Sequence, residues 1–128
     1  MTKAEAYEKA WTLGFRGDFS MVDQIYHPKY RAIQKNINVE VDLDSDKIVV
    51  STISEYNTPG PARVIFENDD FLLIERYFKS TLTETPAFNV GMTAVKYLDG
   101  KIITQETIGE RDLPDPSEGQ DWNWEDYE

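Results

Sequence analysis

The single histidine of this sequence is the first side chain to consider for chemistry. Histidine is the residue type that titrates near neutral pH without help from its surroundings, so His27 is a candidate general acid or base. Against this role, a histidine that precedes a proline, here Pro28, is commonly a loop residue bonded to backbone. The sequence offers His27 as a candidate and leaves its role open.

Two glutamates are the further candidates for proton transfer. Glu75 and Arg76 interrupt an apolar run from Phe71 to Phe78, so one of the two must face the interior or a partner unless the strand bulges there. A buried carboxylate has a raised pKa and can act as an acid or base, whereas an ion pair with a lysine of a neighbouring strand is the plainer alternative. Glu106, on the last predicted strand, is the remaining candidate.

Large side chains with polar tips are suited to lining a cavity around an apolar ligand. For the aromatic members of such a set, packing in the core is the alternative. We predict a ligand pocket from these aromatic residues, the histidine and two polar positions of the last strands: Trp11, His27, Tyr30, Tyr56, Tyr77, Thr93 and Gln105.

A metal site is not expected from the ligand types. Cysteine is absent and histidine occurs once, which excludes thiolate zinc sites and sites built from several imidazoles. Asp42, Asp44 and Asp46 have the spacing that opens an EF-hand loop, but Lys47 stands where that loop needs glycine and Ile53 where it needs glutamate. We predict no metal and no other cofactor, and interpret the three acids as solvated.

The first two helices that would position these residues are indicated by capping patterns. Thr2 and Glu5 have capping-box spacing and predict a helix from about Lys3 to Phe15. Ser20 and Asp23 have the same spacing and predict a second, short helix that ends before the proline.

The next segment admits two interpretations. Residues from Ile37 to Leu43 alternate between apolar and polar, as a strand does, while Asp44 or Ser45 could cap a helix. The β-branched run from Ile48 to Ile53 would also suit a strand. A helix over Asp46 to Tyr56 is the favoured prediction.

The rest of the chain reads as strands. Thr58-Pro59-Gly60-Pro61 is a cluster of breakers, and Asp99-Gly100 predicts a two-residue hairpin turn. Helices followed by a meander predict an α+β domain, with the N-terminal helices packed on the concave face of a curved antiparallel sheet. The predicted strands are Tyr30 to Lys35, Arg63 to Glu67, Phe71 to Thr81, Phe88 to Leu98 and Lys101 to Gly109.

The net charge of −11 argues against nucleic acid and anionic membranes as partners, because both would be repelled. No stretch approaches the roughly 20 apolar residues that span a bilayer, and the N-terminus lacks a signal-peptide core, so a cytoplasmic location is expected. We divide the chain into a domain over 1–112 and an acidic tail over 113–128. Trp122 and Trp124 would expose much apolar area unless they packed on the domain or on a dimer partner.

Two motifs resemble the nuclear transport factor 2-like superfamily, in particular SnoaL-like (polyketide cyclase-like) proteins. They are Tyr26-His27-Pro28-Lys29-Tyr30 after the second helix and Val95-Lys96-Tyr97-Leu98-Asp99-Gly100-Lys101-Ile102 in the final hairpin. The resemblance covers about residues 3–110. It implies a cystatin-like cone that encloses a cavity, often in a homodimer. The superfamily includes isomerases, cyclases, epoxide hydrolases, dehydratases and members without catalysis, so the resemblance leaves open whether this chain is an enzyme.

A comparison with ketosteroid isomerase, a member of this superfamily, narrows the chemistry. That enzyme has an acidic donor on the strand before the final turn, where this chain has Thr93, and a carboxylate base before its third helix, where this chain has Ile37. The steroid-isomerase mechanism is therefore not expected.

Three hypotheses follow. The first is a pocket for a small, largely apolar ligand in a homodimeric protein. The second is an acid–base isomerase, cyclase or hydrolase that uses His27, Glu75 or Glu106. The third is a dimeric interaction module whose acidic aromatic tail engages a protein partner.

Overall fold

The computed structural model describes residues 1–34 and 37–128. Within these ranges the chain forms three α-helices, six β-strands and one turn of 3-10 helix, η1. The elements are α1 Lys3–Phe15, α2 Ser20–Ile25, β1 Tyr26–Gln34, β2 Val39–Val41, α3 Leu43–Ile53, β3 Asn57–Glu67, β4 Phe71–Ser80, β5 Ala87–Leu98, β6 Lys101–Leu113 and η1 Trp124–Asp126. In the ranges described, no helix is both long enough and apolar enough to cross a membrane.

Helix α1 has the bounds that its capping box predicts. Thr2 Oγ1 accepts a hydrogen bond from Glu5 N at 3.1 Å, and Thr2 N donates to Glu5 Oε1 at 3.3 Å. This reciprocal pair satisfies backbone donors that a helix start leaves unpaired. One face of α1 is buried against the sheet, with Trp11 7 % exposed and Ala10 fully buried.

The predicted capping box of α2 is wrong. Ser20 is the first residue inside the helix, and Phe19 precedes it without a side-chain cap. Asp18 Oδ1 accepts hydrogen bonds from N and Oγ of Ser20 instead. A Ser or Asp near a helix start can stand at several positions, and the spacing to Asp23 selected the wrong one.

Helix is confirmed for the ambiguous third segment, with different bounds. Asp42 is the N-cap, and its Oδ1 accepts a hydrogen bond from Ser45 N at 2.9 Å, so α3 begins at Leu43 and not at Asp46. The alternating run before it contributes β2, which pairs with β1. Both periodicities in this segment were therefore real, and Asp42 marks the boundary between them.

The sheet has the strand order β2-β1-β6-β5-β4-β3. Strands β3 to β6 form the predicted antiparallel meander, and the turn between β5 and β6 has the positive φ angles of a two-residue hairpin, 54° at Asp99 and 78° at Gly100. Strand β1 pairs with β6 in parallel, so the sheet is mixed and not wholly antiparallel as predicted.

The breaker cluster Thr58-Pro59-Gly60-Pro61 lies inside β3. The pairing of β3 with β4 shifts register between Pro59 and Ala62. Strand β3 is at the edge of the sheet, where a proline removes no hydrogen bond from an interior ladder.

The core lies between the helices and the concave face of the sheet. Its members come from both layers and include Ala10, Trp11, Val22, Tyr30, Leu72, Val95 and Ile102. On β4, alternate residues point toward the helices, so Ile74 and Arg76 face inward and Glu75 faces the convex side.

The C-terminal tail packs on the convex side of the same domain, one of the two alternatives that its tryptophans predict. Trp122 stacks on Tyr77 with 6.5 Å between ring centroids, and Trp124 lies 5.9 Å from Phe88. Trp124 is 5 % exposed, and its Nε1 donates to Asp115 Oδ1 at 3.1 Å. The tail is thus a docked aromatic layer, and Glu128 at its end pairs with Lys79, with 2.8 Å between Oε1 and Nζ.

Candidate functional site

A cavity of about 510 Å³ lies between α1, α3 and the concave face of the sheet. Its wall is mainly apolar, which is the usual character of a small-molecule site. Apolar side chains of the wall include Trp11, Phe15, Val50, Ile53, Ile74 and Phe78.

A hydrogen-bonded chain joins α1 to the last strand on one side of the cavity. Trp11 Nε1 donates to Tyr26 Oη at 2.9 Å, and Tyr26 Oη donates to Gln105 Oε1 at 2.8 Å. Trp11 and Gln105 line the cavity and Tyr26 lies behind them. Because each member fixes the next, this part of the wall is held in one arrangement before a ligand enters.

Asp46, an acid on α3, lines the cavity and has a shifted pKa. Tyr30 Oη donates a hydrogen bond to Asp46 Oδ2 at 2.9 Å. Burial raises the pKa of Asp46 to about 6, although the hydrogen bond from Tyr30 opposes the shift. Burial, followed by the charge of Asp46, raises the pKa of Tyr30, which stays a donor. A carboxyl group with this pKa can accept or donate a proton near neutral pH.

Hydroxyl groups add a second polar area to the wall. Thr93 Oγ1 and Thr107 Oγ1 are 3.1 Å apart on adjacent strands. Burial raises the pKa of Tyr7 to about 12, and the neighbouring Thr93 partly offsets this effect. Tyr7 therefore presents a neutral hydroxyl to the cavity at physiological pH.

Arg76 brings a positive charge into the wall. Its Nε donates to Gly60 O at 2.9 Å, its Nη2 donates to Thr12 Oγ1 at 2.7 Å, and its Nη1 is 3.5 Å from Glu8 O. Burial lowers the pKa of Arg76, and the nearby charge of Glu8 opposes that shift. Arginine nevertheless stays protonated in proteins, so the cavity wall contains a cation that bridges β3, β4 and α1.

The structure places some predicted pocket residues at this cavity and others elsewhere. Three of them, Trp11, Thr93 and Gln105, line the cavity. Tyr30 is not in the described wall but donates a hydrogen bond to Asp46, which is. Of the remaining candidates, neither Tyr56 nor Tyr77 nor His27 belongs to the described part of the wall, and Tyr77 packs against Trp122 on the convex side.

The predicted catalytic residues lie outside the cavity wall among the residues described. His27 Nδ1 accepts a hydrogen bond from Lys29 N at 3.0 Å, as a histidine bonded to local backbone does. Glu75 forms an ion pair with Arg63, with 3.4 Å between Oε1 and Nε, so the neighbouring-strand partner is an arginine and not a lysine. Glu106 is an exposed residue of β6. Their catalytic roles stay predictions that this geometry does not favour.

Asp46, Arg76 and Glu8 are charged residues of the described wall that sequence reasoning did not select. The signal for Asp46 is its helical spacing with Val49, Val50 and Ile53, which puts an acid on the apolar face of α3. The signal for Arg76 is its alternation with Ile74 and Phe78 on β4. The comparison with ketosteroid isomerase pointed to Ile37 and not to Asp46, which lies nine residues later in the chain.

Comparisons with known proteins agree on the fold. No family model and no curated protein matches the sequence. The solved structure of a loop-truncation variant of IdmH superposes with a TM-score of 0.68, at 14 % identity, over 84 % of this chain and 91 % of that chain. A putative SnoaL-like polyketide cyclase from Jannaschia sp. CCS1 has a TM-score of 0.68, at 12 % identity, over 84 % of each chain.

An NTF-2-like protein of unknown function from Burkholderia xenovorans LB400 covers slightly more of the chain. Its TM-score is 0.59, at 16 % identity, over 91 % of this chain and 87 % of that chain. Identities this low carry the fold and not the function. The predicted resemblance is confirmed at that level: the chain has the α+β cone fold of SnoaL-like proteins of the nuclear transport factor 2-like superfamily.

Proposed function

We propose that this protein binds a small, largely apolar molecule in the cavity between α1, α3 and the concave face. The observation that supports the proposal is a cavity of about 510 Å³ with a mainly apolar wall, in which Trp11, Gln105 and Asp46 are hydrogen-bonded to other side chains of the protein. A volume of this size suits a ligand of one to three rings or a medium-length chain.

The test uses a neutral fluorescent probe, N-phenyl-1-naphthylamine, whose emission rises in apolar surroundings. Gly91 lines the cavity, and a Cβ added there would meet only Phe78 at an ordinary contact distance of 3.6 Å. Gly91→Leu should therefore fold and fill part of the cavity. We expect it to weaken probe binding about tenfold or more, because the added side chain occupies the ligand's volume.

Met92→Leu is the matched control, because Met92 is the next residue of β5 and faces the opposite side of the sheet. We expect this variant to bind the probe as the wild type does. Equal binding to wild type and Gly91→Leu would contradict the proposal, since the probe would then sit elsewhere on the protein.

Acid–base catalysis is a second candidate function, and Asp46 favours it. A partly buried carboxyl group with a pKa of about 6 in a cavity wall is the kind of group that enzymes use for proton transfer. The test is α-hydrogen exchange of 2-tetralone in D₂O, followed by NMR. Acceleration of roughly 100-fold by the wild type and its loss in Asp46→Asn would support catalysis. Equal rates for the wild type and Asp46→Asn would contradict it.

A further inference from the structure

Arg76 is a buried cation whose described partners are all uncharged. It is 8 % exposed and lines the cavity. Its three contacts are the carbonyl oxygens of Gly60 and Glu8 and the hydroxyl of Thr12. In the described ranges of the chain, no carboxylate lies within 4.0 Å of its guanidinium group. The side chain of Glu8 is a nearby acid but does not contact the guanidinium group directly. A buried cation with no direct carboxylate partner is costly, and the carboxylate of a ligand could supply that ion pair.

The guanidinium group also keeps free hydrogen-bond donors. Arginine has five N–H groups, one on Nε and two on each terminal nitrogen. Each nitrogen uses one of them, and the contact of Nη1 is long, at 3.5 Å. One N–H on Nη1 and one on Nη2 therefore remain without a described partner, and an arginine can bind a carboxylate through N–H groups of two of its nitrogens.

The charges of the wall decide which kind of anion fits. Among the described wall residues the charged side chains are Glu8, Asp46 and Arg76, so one cation faces two acids. A phosphate dianion would add two negative charges to this wall, whereas a carboxylate adds one. The apolar remainder of the wall requires an apolar body on the same molecule.

We propose that the ligand is an organic acid with an apolar body and a single carboxylate, and that the carboxylate binds to Arg76. This inference rests on the proposed ligand binding in the cavity and adds the chemical class. The three contacts of Arg76 hold its side chain between α1 and β3, so the group is positioned before the ligand arrives.

The first experiment uses only the wild-type protein. N-phenyl-1-naphthylamine is bound in the cavity and displaced with octanoate or with octanamide, which has the same shape and no charge. We expect octanoate to compete at about tenfold lower concentration, because a charge-assisted pair of hydrogen bonds forms only with the carboxylate. Competition at equal concentrations would overturn the proposal.

Variants test whether Arg76 causes the preference for octanoate over octanamide. Arg76→Gln should remove the preference for octanoate and change probe affinity less than about threefold, and Arg76→Lys should restore part of the preference. Arg63→Gln is the control, because Arg63 is an exposed arginine of β3 on the convex side. A preference that persists in a folded Arg76→Gln would overturn the assignment, and if that variant does not fold, the wild-type competition decides.

The outcomes separate this inference from the proposed function. A wild-type protein that does not bind N-phenyl-1-naphthylamine contradicts both. If the protein binds the probe, and octanoate and octanamide displace it equally well, the proposed function is supported and the proposal of an organic acid is contradicted.

Discussion

Helices α1 and α3 form two walls of the same cavity, but they are attached very differently. Helix α1 buries four residues, among them Ala10 and Trp11, whereas α3 buries none in its eleven residues. Two apolar residues of α3, Ile48 and Val49, are 66 % and 56 % exposed. One wall is therefore part of the core, and the other covers the cavity from outside.

Under the proposed ligand binding, this difference predicts that α3 responds to a ligand more than α1 does. A helix that buries few side chains has little free energy holding it in place and opens locally at low cost. An occupied cavity would give the apolar face of α3 the contacts that it lacks. The variants below measure each wall separately, from the largest expected effect to the smallest.

Trp11→Ala should destabilise the fold most, by about 4 kcal/mol. The change removes a buried indole and its hydrogen bond to Tyr26. Chemical denaturation would measure the loss, with Val50→Ala on α3 as the comparison at well below half that value. A similar loss for both variants would mean that α3 is as firmly attached as α1.

Deletion of residues 117–128 should lower the free energy of unfolding by about 3 kcal/mol, because Trp124 is a buried side chain. The loss of local stability should be larger in α1 than in α3. Trp124 packs against Gly60, whose carbonyl accepts from Arg76, and Arg76 contacts α1. Thermal unfolding gives the size of the effect and amide exchange its location. Glu125→Gln, which removes only an exposed charge, should leave both unchanged.

Asp46→Asn should change the pH dependence of stability. The folded pKa of Asp46, about 6, lies above its ordinary value of 3.8, so the folded chain holds the proton more tightly than the unfolded chain. The wild type should therefore lose on the order of 2 kcal/mol between about pH 4 and pH 6 relative to Asp46→Asn, and no more above that range. Urea denaturation at several pH values measures this. Asp44→Asn, an exposed neighbour on the same turn, should follow the wild type.

Val49→Ala should have the smallest effect on stability, below about 0.5 kcal/mol, because the side chain is mostly exposed. The same variant should weaken binding of N-phenyl-1-naphthylamine severalfold, since Val49 lines the cavity. Fluorescence titration and denaturation of one sample provide the two values. A loss of stability without a loss of probe binding would contradict the interpretation that α3 covers the cavity and is not part of the core.

The parts of the fold that were predicted correctly depend on short-range patterns. The Thr2 and Glu5 capping box and the Asp99-Gly100 turn lie within four residues each, and local hydrogen bonds or φ angles determine them. The parallel pairing of β1 with β6 joins residues far apart in the chain. The residues of each strand do not indicate which other strand it pairs with, so the sheet was predicted as wholly antiparallel.

The candidate site was predicted less well, because burial of a charged residue is decided by the whole fold. Asp42, Asp44 and Asp46 look alike in the sequence, yet the first caps α3, the second is exposed and the third bonds Tyr30 at the cavity. Only the alternation on β4 indicated that one of Glu75 and Arg76 must point inward. The choice between them required the ion pair with Arg63.

The close contact at Gly60 ties two positions of the chain together. A Cβ at residue 60 would lie 2.7 Å from the Trp124 ring, too near for any side chain to be accommodated without displacing the indole. In related chains, a tryptophan at position 124 should therefore occur with glycine at position 60, and chains without this tail should be free to vary there. The pair would thus coevolve, and glycine at position 60 would mark, in sequence alone, which members of the fold carry a docked tail.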